Sequence, residues 1–236
     1  RRFWHTLPLS ITARAAQIFP LHLRWIQPLD IKYVRPYYYQ MPRASLRESI
    51  LNAGLTVMFR SGYKGTGVRD IVAAAGAPQG SFTNHCRSKE SFACEVLDRY
   101  FAHVKGLVAE ALDDRSLTPR QRLVRYLEII TDRLEHDGWS RGCLIGDLSL
   151  EASSTSDPLR ERIKAIFVEW QTPFASCIAE AQAAGEIPSD FEPRELADFL
   201  LASWQGAILR MKVERSPAAL ERFKTIAFKT VFKEMS

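Results

Sequence analysis

The chain has 236 residues, of which 46% are hydrophobic and 25% are charged, and its formal net charge is +5. This length and composition are ordinary for a globular protein with a sizeable core. No apolar run is long enough to span a bilayer, which excludes a transmembrane function and predicts no membrane partner.

Positive charge is divided unevenly along the chain. Residues 1–40 carry six basic residues and one acidic residue, residues 41–90 carry seven and three, and residues 91–236 carry nineteen and twenty-three. A basic surface attracts nucleic acid because binding releases condensed counterions. An ordinary solvated surface can give the same division, so the motifs must decide between the two interpretations.

The first 40 residues differ from the rest of the chain. Four prolines interrupt every possible helix, and aromatic residues appear there without a period. We interpret Met41 as the natural start and residues 1–40 as a non-native or disordered extension. The alternative is a basic arm that reaches into a DNA minor groove.

Residues 41–90 predict three helices, which we call the head. The first begins at Leu46, where Ser45 and Glu48 form a capping box, and it ends at Gly62. The second, Val68 to Ala75, is capped by Thr66 or Gly67 and ends at Gly76.

The third predicted helix of the head starts with Pro78 at its first position and stops near Arg87. Phe82 is its core residue. Two short helices joined by a tight turn and supported by a third are typical of a helix-turn-helix, whose second helix enters the DNA major groove. The outward small or polar residues of that helix are Gln79, Gly80, Ser81, Thr83, Asn84 and His85.

Arg47–Tyr100 resembles the DNA-binding domain of the TetR family of bacterial transcriptional regulators. The resemblance implies that the helix from Gln79 to His85 lies in the major groove and that Thr66 and Lys89 hold phosphates. The residues that carry it, in the family's order and spacing, are Gly62, the run Thr66-x-Val68-x-Asp70-Ile71, Ala75-Gly76, Gly80-Ser81-Phe82, His85 and Ser88-Lys89-Glu90.

Two positions depart from this family pattern. Thr83 stands where the family usually has a tyrosine that touches the DNA backbone, and Cys86 stands where it usually has a phenylalanine. Thr83 puts one phosphate contact in doubt, and Cys86 is a smaller plug between the third and fourth helices. We therefore expect an unusual DNA affinity.

Residues 91–236, the body, predict ligand-sensing and dimerisation helices. The fourth helix starts at Lys89 within the head and runs to about Leu112. No strand pattern appears anywhere after residue 41. The predicted fold is therefore all-α, with about nine helices. Pro173 should kink the seventh helix, which makes Trp170 and Phe174 candidate pocket walls.

The last two predicted helices are too apolar to be half-buried in a monomer. Two such helices from each of two subunits form a four-helix bundle, and the family resemblance also implies a homodimer. The alternative is an intramolecular core that needs no partner. The predicted dimerisation residues are Phe199, Trp204, Ile208, Met211, Phe223 and Ile226.

Cys143 is the candidate sensor. It follows Gly142 at a predicted helix start, where backbone N–H groups favour a thiolate, and Arg141 and His136 could add positive charge. The Gly142-Cys143-Leu144 step resembles the branch of the family that includes the N-ethylmaleimide reductase repressor, in which the matching cysteine responds to electrophiles or oxidants. The alternative is a buried, inert core thiol.

The remaining motifs predict neither an enzyme nor a cofactor or metal site. There is no Gly-rich phosphate loop after a strand, no HExxH and no GxSxG, and the four cysteines form no CxxC pair, which favours a reducing cytoplasm. We therefore predict a homodimeric repressor that a small ligand or cysteine modification releases from a palindromic operator. The alternative is a helical scaffold protein with a degenerate DNA-binding head.

Overall fold

The computed structural model describes residues 45–235, and this part of the chain contains nine α-helices and no strand. The predicted all-α fold is confirmed. The predictions for residues 1–40 and for the start at Met41 lie outside the described residues. No helix between residues 45 and 235 is both long and apolar enough to cross a membrane. The helices are α1 (Leu46–Ser61), α2 (Val68–Ala74), α3 (Ser81–His85), α4 (Lys89–Leu112), α5 (Pro119–His136), α6 (Leu144–Ala152), α7 (Asp157–Ala183), α8 (Pro193–Glu214) and α9 (Ala218–Lys229).

Helix α1 begins and ends where the sequence predicts. The Glu48 backbone N–H donates to Ser45 Oγ at 3.2 Å, which satisfies one free amide of the first turn. The reciprocal half of the predicted capping box is missing, because the Glu48 carboxylate pairs with Arg99 of α4 instead. Gly62 ends the helix with a positive φ of 68°, a conformation that glycine adopts without strain.

The turn between α2 and α3 corrects one boundary. Pro78 is not the first residue of a helix: its carbonyl accepts from the Ser81 N–H at 2.9 Å, and Gln79 and Gly80 form a turn before α3. Glycine is a poor helix former, which favours a helix that starts after Gly80. The recognition helix is therefore one turn shorter than predicted.

The long helices of the body surround one core that continues from the head. Helix α4 packs on α1 at one end and on α5 and α7 further along, so it joins the head to the body. The capping box of α5 forms between Thr118 and Gln121, as predicted. Helix α7 continues through Pro173 and packs against α8.

The structure corrects part of the predicted dimerisation set. Trp204 and Met211 are fully buried in the chain's own core, and Ile208 lines an internal cavity. Their side chains point inward from α8 and are not available to a partner. Phe199 and Ile226 remain 47% and 56% exposed, on α8 and α9.

Candidate DNA-binding surface and buried cavity

Helix α3 presents a polar surface held in place by one aromatic residue. Phe82 is buried, and its ring centroid lies 5.0 Å from that of Phe92 on α4 in an edge-to-face arrangement. The residues around it on the outer side are small or polar. We call these exposed residues the recognition surface: Gln79, Gly80, Thr83, Asn84 and His85.

Two residues predicted to contact DNA are buried instead. Thr66 is 1% exposed, and its Oγ1 donates to the Gly62 carbonyl at 2.6 Å, so this hydroxyl closes the turn between α1 and α2. Ser81 is buried as the first residue of α3. Thr83 is exposed, and its Oγ1 donates to the Gly80 carbonyl at 2.9 Å, so the hydroxyl is bonded within its own turn.

Positive charge is available on the head. The Lys89 ammonium lies 4.5 Å from the centroid of the Tyr63 ring, which holds it near the start of α4. Arg69 of α2 and Arg87, just after α3, are exposed and form no ion pair with any residue from 45 to 235. The sequence motifs did not single out these two arginines, although the excess of basic residues in the head includes them.

The body contains a cavity of about 260 Å³ that is partly open to solvent. Five helices and the loop before α6 contribute to its lining, including α1 of the head through Leu55 and Phe59. Cys143 and Trp170, both predicted as sensing residues, line it together. Phe174 does not, because it packs behind Tyr126 with ring centroids 4.8 Å apart.

Four polar groups converge in this mostly apolar cavity: the Cys143 thiol, the Trp170 indole N–H and the hydroxyls of Tyr100 and Tyr126. The Tyr100 hydroxyl contacts the Cys143 thiol. Trp170 Nε1 is buried beside the Tyr126 hydroxyl, but it completes no hydrogen bond with any atom of residues 45–235. Sequence reasoning missed both tyrosines as site residues because their spacing marks only a buried helix face.

The ionisation predicted for Cys143 needs correction. Cys143 does precede α6 as its N-cap. Burial raises the pKa of the thiol, and this outweighs the lowering by the Gly146 N–H, the Tyr100 hydroxyl and the Ile145 N–H. The thiol is therefore protonated at neutral pH rather than being a ready thiolate.

The two cationic residues predicted to lie near the Cys143 thiol interact with other groups or with solvent. The Arg141 guanidinium lies 3.9 Å from Asp137 and faces the Phe59 ring, and His136 is exposed. Asp147 contributes to raising the Cys143 pKa, although its carboxylate accepts from Lys212 Nζ at 2.8 Å. No described cation therefore offsets the burial of the thiol.

Helix α6 connects the cavity to the head. Cys143 precedes its first residue, and Glu151 lies near its other end. The Glu151 carboxylate accepts from the Lys64 backbone N–H at 3.1 Å. A Cβ at Gly62 would lie 2.1 Å from Glu151 Oε1, so a side chain at this position would displace the carboxylate from the turn between α1 and α2.

Comparison with known proteins matches both halves of the chain. Residues 50–96 match the family described as bacterial regulatory proteins, tetR family, and residues 119–227 match the tetracyclin repressor-like C-terminal domain. The chain is 43% identical over 191 residues to the HTH-type transcriptional repressor DhaR of Mycobacterium sp. (strain GP1), covering 81% of this chain and 94% of that protein. It is 36% identical to the transcriptional regulator AcuR of Cereibacter sphaeroides, covering 77% of this chain and 84% of that protein.

A solved structure gives the same result. The crystal structure of the reduced form of NemR from E. coli is similar to this chain with a TM-score of 0.73 and 26% identity, covering 80% of this chain and 98% of that one. The similarity extends over the head and the body alike. The chain therefore belongs to the tetR family of bacterial regulatory proteins and is a DNA-binding transcriptional regulator.

Proposed function

We propose that the protein is a cytoplasmic, homodimeric repressor that leaves a palindromic operator when a small electrophile or oxidant modifies Cys143, and that it has no catalytic activity. The observation that carries the DNA-binding part is the recognition surface. Its exposed polar groups surround one buried anchor, Phe82, with the cations Arg69 and Arg87 on the same head. Side chains of this kind read base edges, whereas the cations hold phosphates.

An exposed apolar groove on α8 and α9 supports the dimer. Phe199, Phe223 and Ile226 line it, and two of these three side chains are large, apolar and exposed. Burial of this face against a second copy would remove the exposed apolar area from water. Two recognition surfaces related by a two-fold axis then meet successive major grooves about 34–36 Å apart.

The contacts of α6 support a route from the cavity to DNA. A group added to Cys143 needs space at the start of α6, where the thiol is buried. A shift of α6 would displace Glu151, which holds the turn between α1 and α2 through Lys64. Modification then favours a head spacing that does not fit the operator, and the population moves away from DNA.

The names of the relatives agree with this proposal. DhaR and NemR are named as transcriptional repressors, and the NemR structure is described as a reduced form. No observation favours the scaffold alternative, because Thr83 and Cys86 leave the recognition surface exposed and α3 anchored.

Mapping of bound DNA across the genome, followed by affinity measurements on the fragments found, tests this function. We expect a palindromic site whose affinity falls steeply with salt. Binding that is weak, equal for all sequences and indifferent to thiol modification would contradict the proposal.

A further inference from the structure

We propose that Trp170 and Tyr126 form a hydrogen-bonding subsite that reversibly holds the oxygen of a small, uncharged carbonyl compound before Cys143 reacts. This inference deepens the proposed function, on which it rests, by naming the chemical class of the inducer. It assigns to Trp170 and Tyr126 the selection of the ligand and leaves to Cys143 its modification.

The unpaired indole N–H of Trp170 is the first observation. Trp170 is 3% exposed, lines the cavity, and leaves Nε1 without a hydrogen bond to any residue from 45 to 235. An unpaired buried donor costs about 1–3 kcal/mol, and buried polar groups are rarely left so. An acceptor oxygen in the cavity would satisfy this donor.

Tyr126 supplies a second donor at the same place. Its hydroxyl lies beside the Trp170 indole, and its ring is fixed by edge-to-face packing on Phe174. Burial raises the Tyr126 pKa far above its ordinary value, with a further rise from Cys143, so the hydroxyl keeps its proton. A carbonyl oxygen has two lone pairs and can accept from both groups.

The distribution of charge favours an uncharged ligand. Every charged side chain that lines the cavity is at least partly exposed: Arg141 is 60% exposed and Asp137 is 37% exposed. The buried end with Trp170, Tyr126 and Cys143 offers only neutral donors. A carboxylate there would lose its hydration without gaining a counter-ion, which is costly.

The size of the cavity favours a small molecule. Its volume of about 260 Å³ is at or below the lower end of the range for ligand pockets. The walls around the polar groups are aliphatic, through residues such as Val104, Leu107 and Ile130. A single ring or short chain with one carbonyl group fits these walls and the two donors.

The subsite and the thiol line the same cavity, so a carbonyl compound held there is presented to Cys143 with its oxygen polarised by two donors. Cys143, Tyr100 and Tyr126 line the same cavity, and Cys143 contributes to the raised pKa values of both tyrosines. When an α,β-unsaturated carbonyl compound binds, the sulfur adds to the β-carbon and the C=C electrons move to the oxygen that Trp170 and Tyr126 hold. The thiol proton ends on the α-carbon, so no other reactant is needed.

The test separates binding from reaction and uses the full chain. In Cys143→Ser protein, calorimetry with cyclohexanone, which carries a carbonyl, is compared with methylcyclohexane, which does not. We expect cyclohexanone to bind, and Trp170→Phe to weaken it about tenfold, the loss of one hydrogen bond of roughly 1.4 kcal/mol. Tyr126→Phe, which removes only a hydroxyl, should also weaken it.

Trp204→Phe is the matched control, because Trp204 Nε1 is also buried and unpaired among the described residues but does not line this cavity. It should leave cyclohexanone binding unchanged. In protein that keeps Cys143, the rate of alkylation by 2-cyclohexenone should saturate with concentration, and Trp170→Phe should raise the concentration needed.

Three results would overturn the subsite: no cyclohexanone binding, equal binding of methylcyclohexane, or equal losses in Trp170→Phe and Trp204→Phe. None of these readouts uses DNA. If Cys143 is alkylated as expected but the operator is not released, the proposed function fails while the subsite stands. If alkylation releases the operator but its rate neither saturates with 2-cyclohexenone concentration nor depends on Trp170, the subsite fails and the proposed function stands.

Discussion

The recognition surface and the cavity are built in opposite ways. The recognition surface lies on one short stretch, from Gln79 to His85, is exposed, and depends on a single anchor, Phe82. The cavity draws its walls from five helices and the loop before α6, and Cys143, Tyr126 and Trp170 at its inner end are buried. A change at the recognition surface should therefore alter one contact at a time, whereas a change in the cavity should alter a shared space.

The largest expected effect is the loss of the anchor. Phe82→Ala removes a buried ring that packs on Phe92 and should cost about 3–5 kcal/mol of stability, with loss of DNA binding. Chemical denaturation and DNA affinity measure the two effects. Thr83→Ala, an exposed neighbour on the same helix, is the control and should change stability little. Full DNA affinity in Phe82→Ala would show that α3 is not held as described.

The next effect separates base contacts from phosphate contacts. Asn84→Ala should cost about 1–3 kcal/mol for the preferred sequence and relax selectivity at one base pair. Lys89→Ala should weaken binding to all sequences alike and reduce the slope of log affinity against log salt by about one.

Affinity measurements on a panel of operator variants at several salt concentrations distinguish these two variants. If Asn84→Ala weakened all sequences equally, the recognition surface would not be reading bases. If Lys89→Ala changed the preferred sequence, the lysine would not be a simple phosphate contact.

A smaller effect is expected where the cavity meets the head. Glu151→Ala removes the acceptor for the Lys64 N–H and should leave DNA affinity nearly unchanged in unmodified protein. The fold loss of operator affinity on modification of Cys143 should then be at least five times smaller than in the parent protein, since coupling between sites is typically 1–3 kcal/mol. Operator affinity before and after complete alkylation gives this ratio.

The control for this prediction is Glu161→Ala, an exposed carboxylate on α7 whose described ion pairs are with its near neighbours Arg160 and Lys164. It should preserve the full response to alkylation. An unaltered response in Glu151→Ala would place the route from cavity to head elsewhere.

The smallest effect is on the pH dependence of the thiol. Because burial raises the Cys143 pKa, alkylation of the folded protein should rise steadily with pH and show no plateau below the ordinary thiol value. At neutral pH the thiol is protonated in both the folded and the unfolded chain, so its titration does not change stability there; stability should fall as pH rises from the unfolded to the folded pKa, because the buried site disfavours the thiolate. Mass labelling against pH measures the rate, and a plateau near neutrality would contradict the buried, protonated thiol.

The head could be predicted from sequence because its determinants are local. Ser45 and Gly62 act within a few residues of the helix ends that they fix, and the structure confirms both as the residues that flank α1. Pro78 was wrong as a helix start because a proline is compatible with a turn as well as with the first position of a helix. The burial of Thr66 was not visible in the sequence, because a hydroxyl can either face DNA or bond a nearby carbonyl.

The cavity could be predicted only in part. Cys143 was predicted from its place at a helix start and Trp170 from its nearness to Pro173, and both residues line the cavity. Tyr100 and Tyr126 were not predicted as cavity residues, because they lie on different helices and only packing brings them close to the thiol. The same packing determined the Cys143 pKa, which local helix geometry predicted in the wrong direction.

The most direct test of the account is operator affinity as a function of the fraction of Cys143 that is modified. Fluorescence anisotropy with the mapped operator, and mass spectrometry on the same samples, give both quantities. We expect operator affinity to fall in proportion to modification in the parent protein and to stay constant in Cys143→Ser protein treated in the same way. Unchanged affinity in a parent protein whose Cys143 is fully modified would contradict it.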